Sequence, residues 1–260
     1  SGNDLDFIRI FYNSQSGDHI RPAGEDVTKG TTVVVKGRTL DPPSLGMAAS
    51  LGNAMVYVTR RPIVTILATG DEVQAPSEVP TAGKLFDINT YTIAALAKRY
   101  GGTPKLIGIA KDTKEDLRRK LLLAMEGDLV ITTAGVSTGA FDIVKDVLSD
   151  LGSMSFWAVR MRPSRPIAFG TLKNQEGRDI PHIGLPGNPV SALVAFMQFG
   201  RPALAKMMGK TPQPLPIVQA KLTETIVNYD QRRVYSRVAL HKRGKMIYAE
   251  PIKGEGSNLL

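Results

Sequence analysis

The segment DLVITTAGVSTGAFDIVKDVLSDL, residues 128–151, carries the clearest indication of the fold. It begins with the apolar, β-branched run Leu129–Thr133 and passes through the glycine-containing loop AGVSTG, residues 134–139. It then continues as a predicted helix over Asp142–Leu151, in which apolar residues recur every four positions on one face. A buried strand, a short loop and an amphipathic helix, in this order, are the repeating unit of an α/β sheet.

The same alternation extends to both sides of this segment. Further strands are predicted over Ile63–Ala68, Leu106–Ala110, Phe156–Val159, Ile167–Gly170 and Ile180–Gly184, and further helices over Ile88–Arg99, over Lys114–Met125 and from Pro189 onwards. In the last helix, capped by Asn188, we expect Val190, Leu193, Val194 and Met197 to face inward. Residues 61–209 therefore predict the α/β class, with a central, mostly parallel sheet and helices on both faces.

The two flanks have a different pattern. Residues 1–60 are predicted as a small, partial β-rich domain, because TTVVVK (31–36) and AMVYVTR (54–60) are β-branched runs bounded by glycine or proline. A short helix is predicted between them over Pro43–Leu51. Residues 210–260 return to short strands after a proline-rich linker, and we expect a C-terminal β domain that is incomplete.

Composition limits the possible functions. The 260 residues contain no cysteine, which excludes thiol catalysis, cysteine-bound zinc and iron–sulfur clusters. The 33 Lys+Arg against 24 Asp+Glu give a net charge of +9, which favours anionic partners. Apart from Arg160, Arg162 and Arg165, the basic residues are scattered, and they are not interleaved with aromatic residues, so we expect small anions and no nucleic acid. No apolar run approaches the ~18 residues of a membrane span, which predicts a cytoplasmic protein without membrane contact.

Polar and glycine-rich loops follow several predicted strands. They are TGDE (69–72), the segment around Asp112, AGVSTG with Asp142 behind it, and PGNPVS (186–191). Ligands of doubly wound sheets bind at the carboxyl ends of the strands, and free N–H groups at helix starts attract anions. Glu72, Asp112 and Asp142 suit Mg²⁺ held against a phosphate, although helix capping alone would also explain Asp112 and Asp142.

A hydrolase interpretation is also possible. Residues 135–139 match G-x-S-x-G, with Ser137 as the nucleophile and His182 or His241 as the base. No HGGG-type loop precedes the motif, and the three histidines have no zinc-binding spacing. We therefore expect Ser137 to bind ligand by hydrogen bonds rather than to act as a nucleophile.

Taken in order, the loops resemble a known family, the molybdopterin molybdenumtransferases, which comprise bacterial MoeA and the gephyrin E domain. The matching stretches are RPAGEDV (21–27), ATGDEV (68–73), DINTY (87–91), DLVITTAGVSTGAFD (128–142), MRPSRPIAFG (161–170) and GLPGNPVSALVAF (184–196), with a weaker match over Arg232–Leu240. Each motif alone is weak, but six in one order are specific.

The resemblance implies a fold like the molybdopterin-binding domain of the MogA and MoaB proteins. It also implies a reaction in which molybdate is inserted into adenylylated molybdopterin and AMP is released. The family's catalytic acidic residues correspond to Asp26, Glu72, Asp112 and Asp142, and the last three would bind Mg²⁺. A homodimer is implied, in which Asp26 acts across the interface, and the molybdopterin adenylyltransferase is a further expected partner.

The resemblance also assigns binding residues. Molybdopterin and AMP would contact Thr69, Gly70, Asp87, Asn89, Gly135, Ser137, Gly139, Pro186, Gly187, Asn188 and Ser191. Molybdate would bind Arg162 and Arg165, where the family has two lysines. Another departure is Ala134, at a position where the family has glycine. By this resemblance the chain starts inside the family's second domain, so we expect a fragment of the family's full length, and a non-catalytic pterin-binding or scaffold module is the alternative to the enzyme. The sequence does not distinguish molybdate from tungstate.

Overall fold

The computed structural model describes residues 11–134, 141–229 and 231–252. The chain divides into two compact units, Ser1–Val56 and Tyr57–Leu260. The predicted start of the α/β domain at residue 61 falls close to this division. The predicted boundary at residue 210 lies within the second unit and stays a prediction.

The described part of the first unit contains one helix, α1 (Pro42–Ser50), which confirms the short helix predicted there. The Asp41 side chain caps it by accepting a hydrogen bond from the Ser44 N–H at 2.9 Å. The strands predicted over residues 31–36 and 54–60 are wrong, because neither run forms a strand in the structure. A β-branched run becomes a strand only where another strand can pair with it, and the sequence pattern does not report that partner.

The second unit is built on a six-stranded sheet with the order β4-β1-β5-β9-β8-β6. Its strands are β1 (Ile63–Thr69), β4 (Thr103–Ala110), β5 (Leu129–Thr133), β6 (Gly152–Ala158), β8 (Pro166–Lys173) and β9 (Asp179–Leu185). Two short strands, β2 (Val73–Gln74) and β3 (Leu85–Phe86), form a separate pair after β1.

The first four strands of this order are parallel. Strand β8 pairs antiparallel with β9, and β6 pairs antiparallel with β8, so β8 alone runs against the other five strands of this sheet. Because β8 runs against β9, the start of β8 lies at the sheet edge where β1, β5 and β9 end. The segment before β8, with the short strand β7 (Met161–Arg162), is therefore brought to the carboxyl edge of the parallel strands.

Helices cover both faces of the sheet, as predicted. One face packs against α2 (Asn89–Arg99), α5 (Pro189–Ala195), a π-helical turn (Phe196–Gly200) and α6 (Arg201–Met207), and the other against α3 (Lys114–Ala124) and α4 (Phe141–Leu151). The two apolar cores alternate along the strands: Leu129 and Ile131 belong to the first core and Val130 to the second. The predicted α/β class is confirmed.

The start of α5 is as predicted, but its buried face is not. Asn188 caps the helix by accepting a hydrogen bond from the Ser191 N–H at 3.0 Å. The fully buried residues of α5 are Ala192 and Ala195, whereas Val190, Leu193 and Val194, and Met197 in the π-helical turn that follows, are half-buried. Small side chains let the helix approach the sheet closely, so the largest apolar residues were a poor guide to the inward face.

The C-terminal part of the unit is β-structured, as expected. Strands β10 (Lys221–Leu222), β12 (Val238–Arg243) and β13 (Met246–Pro251) form a three-stranded sheet, and β11 (Arg233–Val234) pairs with β7. The β11–β7 pairing links this C-terminal part to the segment that precedes β8. Within the described ranges, no helix combines the length and apolar character that crossing a bilayer requires.

Candidate functional site

A cavity of about 640 Å³ lies where β1, β5 and β9 end. Its polar lining includes Thr69, Glu72, Asp87, Asn89, Thr133 and Asn188, and its apolar lining includes Ala68, Val73, Leu85, Phe86, Ile88, Ala134 and Pro189, with Gly187 between them. Of the residues predicted to bind molybdopterin and AMP, Thr69, Asp87, Asn89, Gly187 and Asn188 are brought together here. We call this space the strand-end cavity.

Glu72 contributes the one carboxylate of the TGDE loop that lines the strand-end cavity. The Glu72 side chain folds back over Gly70, so that a Cβ built on Gly70 would overlap the Glu72 carboxylate. Gly70 has φ +124°, a backbone conformation that favours glycine, and its N–H donates to the Ala110 carbonyl at 3.2 Å. Gly70 is therefore required by both the turn and the position of the Glu72 carboxylate.

Asp87 and Asn89 are buried where α2 begins and lie on one wall of the strand-end cavity. Asp87 Oδ1 accepts a hydrogen bond from the Thr90 N–H at 3.0 Å, so it caps the helix as predicted. Asn89 Nδ2 donates to the Gly187 carbonyl at 2.7 Å, while Asn89 Oδ1 is buried with no hydrogen-bond partner among the described residues. Asn89 thus ties the start of α2 to the loop that follows β9, where Pro186 is buried.

A second cavity, of about 420 Å³, adjoins the first at Asn188, which lines both. The polar and charged residues around it are Arg162, Asn188, Ser191, Thr225, Tyr235, Ser236 and Arg237. The Ser164 hydroxyl donates a hydrogen bond to the Ser191 carbonyl, which fixes the segment before β8 against the start of α5. We call this space the arginine cavity.

Arg165 does not line the arginine cavity. It lines a separate space of about 380 Å³ together with Arg160 and Arg232. Main-chain hydrogen bonds hold this arrangement: the Val159 N–H donates to the Arg165 carbonyl at 2.8 Å, and the Arg233 N–H donates to the Arg160 carbonyl at 2.9 Å. The structure therefore places the two predicted molybdate ligands, Arg162 and Arg165, in different cavities.

The predicted magnesium ligands are not assembled into a metal site in the described part of the chain. No group of three or more His, Cys, Asp or Glu side chains there is placed to hold an ion. The Asp112 carboxylate accepts a hydrogen bond from the Asp71 N–H, and the Asp112 N–H donates to the Asp71 carboxylate. Asp142 is exposed in the first turn of α4. Asp26 belongs to the first unit, where its carboxylate pairs with Arg21.

Part of the glycine-rich loop predicted to bind ligand lies outside the described residues. This applies to Gly135, Ser137 and Gly139. Both histidines that could activate Ser137 in a hydrolase are described. His241 lies on β12 with Nε2 3.3 Å from Glu250 Oε2, and His182 is 1% exposed, with Nε2 3.0 Å from Thr132 Oγ1. Burial lowers the pKa of His182 to about 3, so it is a weak base in a closed environment. These properties do not suit a general base.

The sequence also matches models of known protein families. Residues 65–206 match the family described as "Probable molybdopterin binding domain". The chain belongs to this molybdopterin-binding domain family. Residues 6–52 additionally match the "MoeA N-terminal region (domain I and II)". The molybdopterin-binding domain therefore coincides with the α/β sheet and with the strand-end cavity.

The chain is similar over most of its length to several named proteins. The chain is 35% identical over 247 residues to the molybdopterin molybdenumtransferase of Haemophilus influenzae, covering 93% of this chain and 59% of the relative. It is 34% identical to molybdopterin molybdenumtransferase 2 of Mycobacterium tuberculosis, over 95% of this chain and 62% of the relative. It is 31% identical to gephyrin of Dictyostelium discoideum, over 90% of this chain and 37% of the relative. The chain thus spans about three fifths of the enzymes it matches.

A solved structure has the same architecture. The crystal structure of the MoeA protein of molybdopterin biosynthesis from Pyrococcus horikoshii superposes with a TM-score of 0.74 at 29% identity. The superposition covers 90% of this chain and 56% of the archaeal one. The resemblance inferred from the six motifs is confirmed.

Several lining residues were not identified from the sequence. Leu85 and Phe86, which directly precede Asp87, form an apolar wall of the strand-end cavity. They are 70% and 43% exposed, and because exposure cannot be read from the sequence, these two residues were identified only from the structure. Tyr235, Ser236 and Arg237 lie within the weaker match over Arg232–Leu240, which was the available indication of a second basic segment.

Proposed function

We propose that this chain acts in molybdenum cofactor biosynthesis as a molybdopterin molybdenumtransferase. In the proposed reaction, molybdate is inserted into adenylylated molybdopterin and AMP is released. The family membership and the names of the relatives support a molybdopterin ligand. Beyond that ligand, we propose the substrate, the products and the activity of this chain.

One observation carries the proposal: Asn188 lines both the strand-end cavity and the arginine cavity. A ligand in the first cavity is therefore one side chain away from an anion in the second. The reaction needs this adjacency, because the metal oxyanion must reach the pterin nucleotide.

The linings differ in the way that two such substrates require. The strand-end cavity combines apolar walls with a few polar groups and suits a heteroaromatic nucleotide. The arginine cavity offers the guanidinium groups of Arg162 and Arg237 together with hydroxyl groups, which suits a tetrahedral oxyanion. We therefore propose that the pterin nucleotide binds in the first and molybdate in the second.

Magnesium is proposed to arrive with the substrate. Mg²⁺ in nucleotide sites is commonly held by one or two carboxylates, with substrate phosphates and water completing its shell. The described side chains form no three-residue cage, but Glu72 lines the strand-end cavity and could supply one such carboxylate. Asp112 and Asp142 as further ligands, a homodimer, Asp26 acting across its interface, and the adenylyltransferase as a partner remain part of the same proposal.

A single-turnover assay tests the activity. The chain is mixed with adenylylated molybdopterin, Mg²⁺ and increasing molybdate, and released AMP is quantified by chromatography. We expect AMP release that requires both molybdate and the protein. Binding of the pterin nucleotide without any AMP release would favour the alternative, a binding or scaffold module with the same cavity. Absence of binding would contradict both.

A further inference from the structure

Ala134 has an unusual backbone conformation for a residue with a side chain. It follows the last residue of β5 and has φ +71°, in the left-handed region that favours glycine. Its main-chain N–H donates to the Leu185 carbonyl at 3.1 Å, so the end of β9 holds it in place. An alanine in this conformation costs free energy that a glycine would not, and such outliers cluster at functional sites.

The Ala134 side chain occupies part of the strand-end cavity. Ala134 lines this cavity between Thr133 and Gly187. A Cβ built on Gly187 would lie 3.2 Å from the Ala134 Cβ, which is too close for two methyl groups to be accommodated without movement. The space between the end of β5 and the loop after β9 therefore accommodates one methyl group, and Ala134 supplies it.

The opposite side of Gly187 is also fixed. Its carbonyl accepts the 2.7 Å hydrogen bond from Asn89 Nδ2. The Ala134 methyl group is thus packed beside a main chain that is held by Asn89 of α2 at Gly187 and by Leu185 of β9 at Ala134. A rigid, apolar contact of this kind suits the face or edge of a planar ring better than a charged group.

We infer that Ala134 is a ligand-contacting residue whose methyl group packs against the planar nitrogen heterocycle of the bound nucleotide. The inference rests on the proposed function, because it assumes that the strand-end cavity takes a pterin nucleotide. Two rings of this chemistry are present in the proposed substrate, adenine and pterin. The affinity for one ring then depends on the methyl group of Ala134, a residue whose backbone conformation destabilises the folded state.

The test replaces Ala134 by glycine and measures stability and affinity separately. Ala134→Gly relieves the left-handed strain, so the melting temperature is expected to stay constant or rise. The affinity for the ring is expected to fall about four-fold, which corresponds to the burial of one methylene-sized group. Ala134→Ser keeps a Cβ and is expected to restore the affinity. Gln231→Gly is the matched control, because Gln231 also has a positive φ, +54°, and is not among the residues lining the strand-end cavity.

Calorimetric titrations with three probes locate the contact. AMP presents adenine, 6-hydroxymethylpterin presents the pterin ring, and ribose 5-phosphate presents neither. A loss in Ala134→Gly for AMP identifies adenine as the ring, and a loss for the pterin identifies the other ring, with ribose 5-phosphate unchanged in either case. If wild type binds a ring and Ala134→Gly binds it equally well, or if ribose 5-phosphate weakens to the same extent, the inference is overturned. If wild type binds neither ring, the proposed occupant of the cavity is wrong as well.

Discussion

Asp71 and Asp112 each accept a hydrogen bond from the other's main chain. The Asp71 N–H donates to Asp112 Oδ2 at 3.2 Å, and the Asp112 N–H donates to Asp71 Oδ1 at 3.3 Å. This reciprocal pair joins the loop after β1 to the loop after β4. Glu72 directly follows Asp71, so Asp112 also has a structural role in holding the Glu72 loop, whatever its role toward a metal ion.

Substitutions at Asp112 should separate these two roles. Asp112→Asn keeps an acceptor oxygen for the Asp71 N–H and should leave the free energy of unfolding nearly unchanged. Asp112→Ala removes the acceptor and should lower it by about 1 kcal/mol. Urea unfolding measures the stability, and the Mg²⁺ dependence of AMP release measures the charge. An Asp112→Asn protein with wild-type Mg²⁺ dependence would leave Asp112 with the structural role alone.

Gly70→Ala should impair the site more than the fold. The new Cβ would overlap the Glu72 carboxylate, and φ +124° is unfavourable for alanine. Gly108→Ala is a matched control, because Gly108 has φ +101° but its Cβ would meet nothing within 4 Å. Both variants should lose about 1–3 kcal/mol of stability. Only Gly70→Ala should also lose AMP release, and equal activity in the two variants would contradict a role for the Glu72 position.

Arg162→Ala should raise the molybdate concentration needed for half-maximal AMP release by roughly ten- to a hundred-fold. The reason is the loss of one charge-assisted contact, about 1.5–3 kcal/mol. Affinity for the pterin nucleotide, measured separately by calorimetry, should change little. Arg165→Ala should have the smaller effect on molybdate, because Arg165 lines a different cavity. A larger effect in Arg165→Ala would place the oxyanion beside Arg160 and Arg232 instead.

Acid should destabilise the second unit through His182. Burial lowers the pKa of this side chain from 6.5 to about 3, so the folded protein keeps it neutral where the unfolded chain protonates it. Its contribution is complete above pH 6.5 and is lost as the pH falls from there toward 3, by about 1.4 kcal/mol per pH unit. The free energy of unfolding, measured in urea between pH 8 and 4, should fall less steeply with decreasing pH in His182→Gln than in the wild type. The exposed His19→Gln is the control, and an unchanged slope in His182→Gln would contradict the assignment.

The α/β core was predictable because its signals are local. A buried strand such as β5 is a short apolar run, and a helix such as α3 repeats its apolar residues every turn. The strand-end loops were identified for a related reason, since capping and turn residues have strict backbone requirements. Asp87 and Asn188 cap helices as expected.

The remaining features depend on contacts between distant residues. The run at residues 31–36 has the composition of a strand, but no described strand pairs with it. Arg162 and Arg165 are three residues apart, yet the turn between them, with Ser164 at φ +74°, directs them into different cavities. The β11–β7 pairing, which brings Arg237 to the arginine cavity, joins segments about seventy residues apart. No sequence pattern specifies such pairing.

The π-helical turn Phe196–Gly200 has a consequence for comparing this chain with shorter relatives. A turn of this kind holds one more residue than an α-helical turn, which rotates every later side chain by about 100°. Gly200 makes room for it, because a Cβ there would lie 2.6 Å from the Phe196 ring. Leu204, four residues after Gly200, is fully buried in this register. A relative with one residue fewer between Pro189 and Met207 would present a different side chain to the core, so the gap in an alignment belongs inside this helix and not in a neighbouring loop.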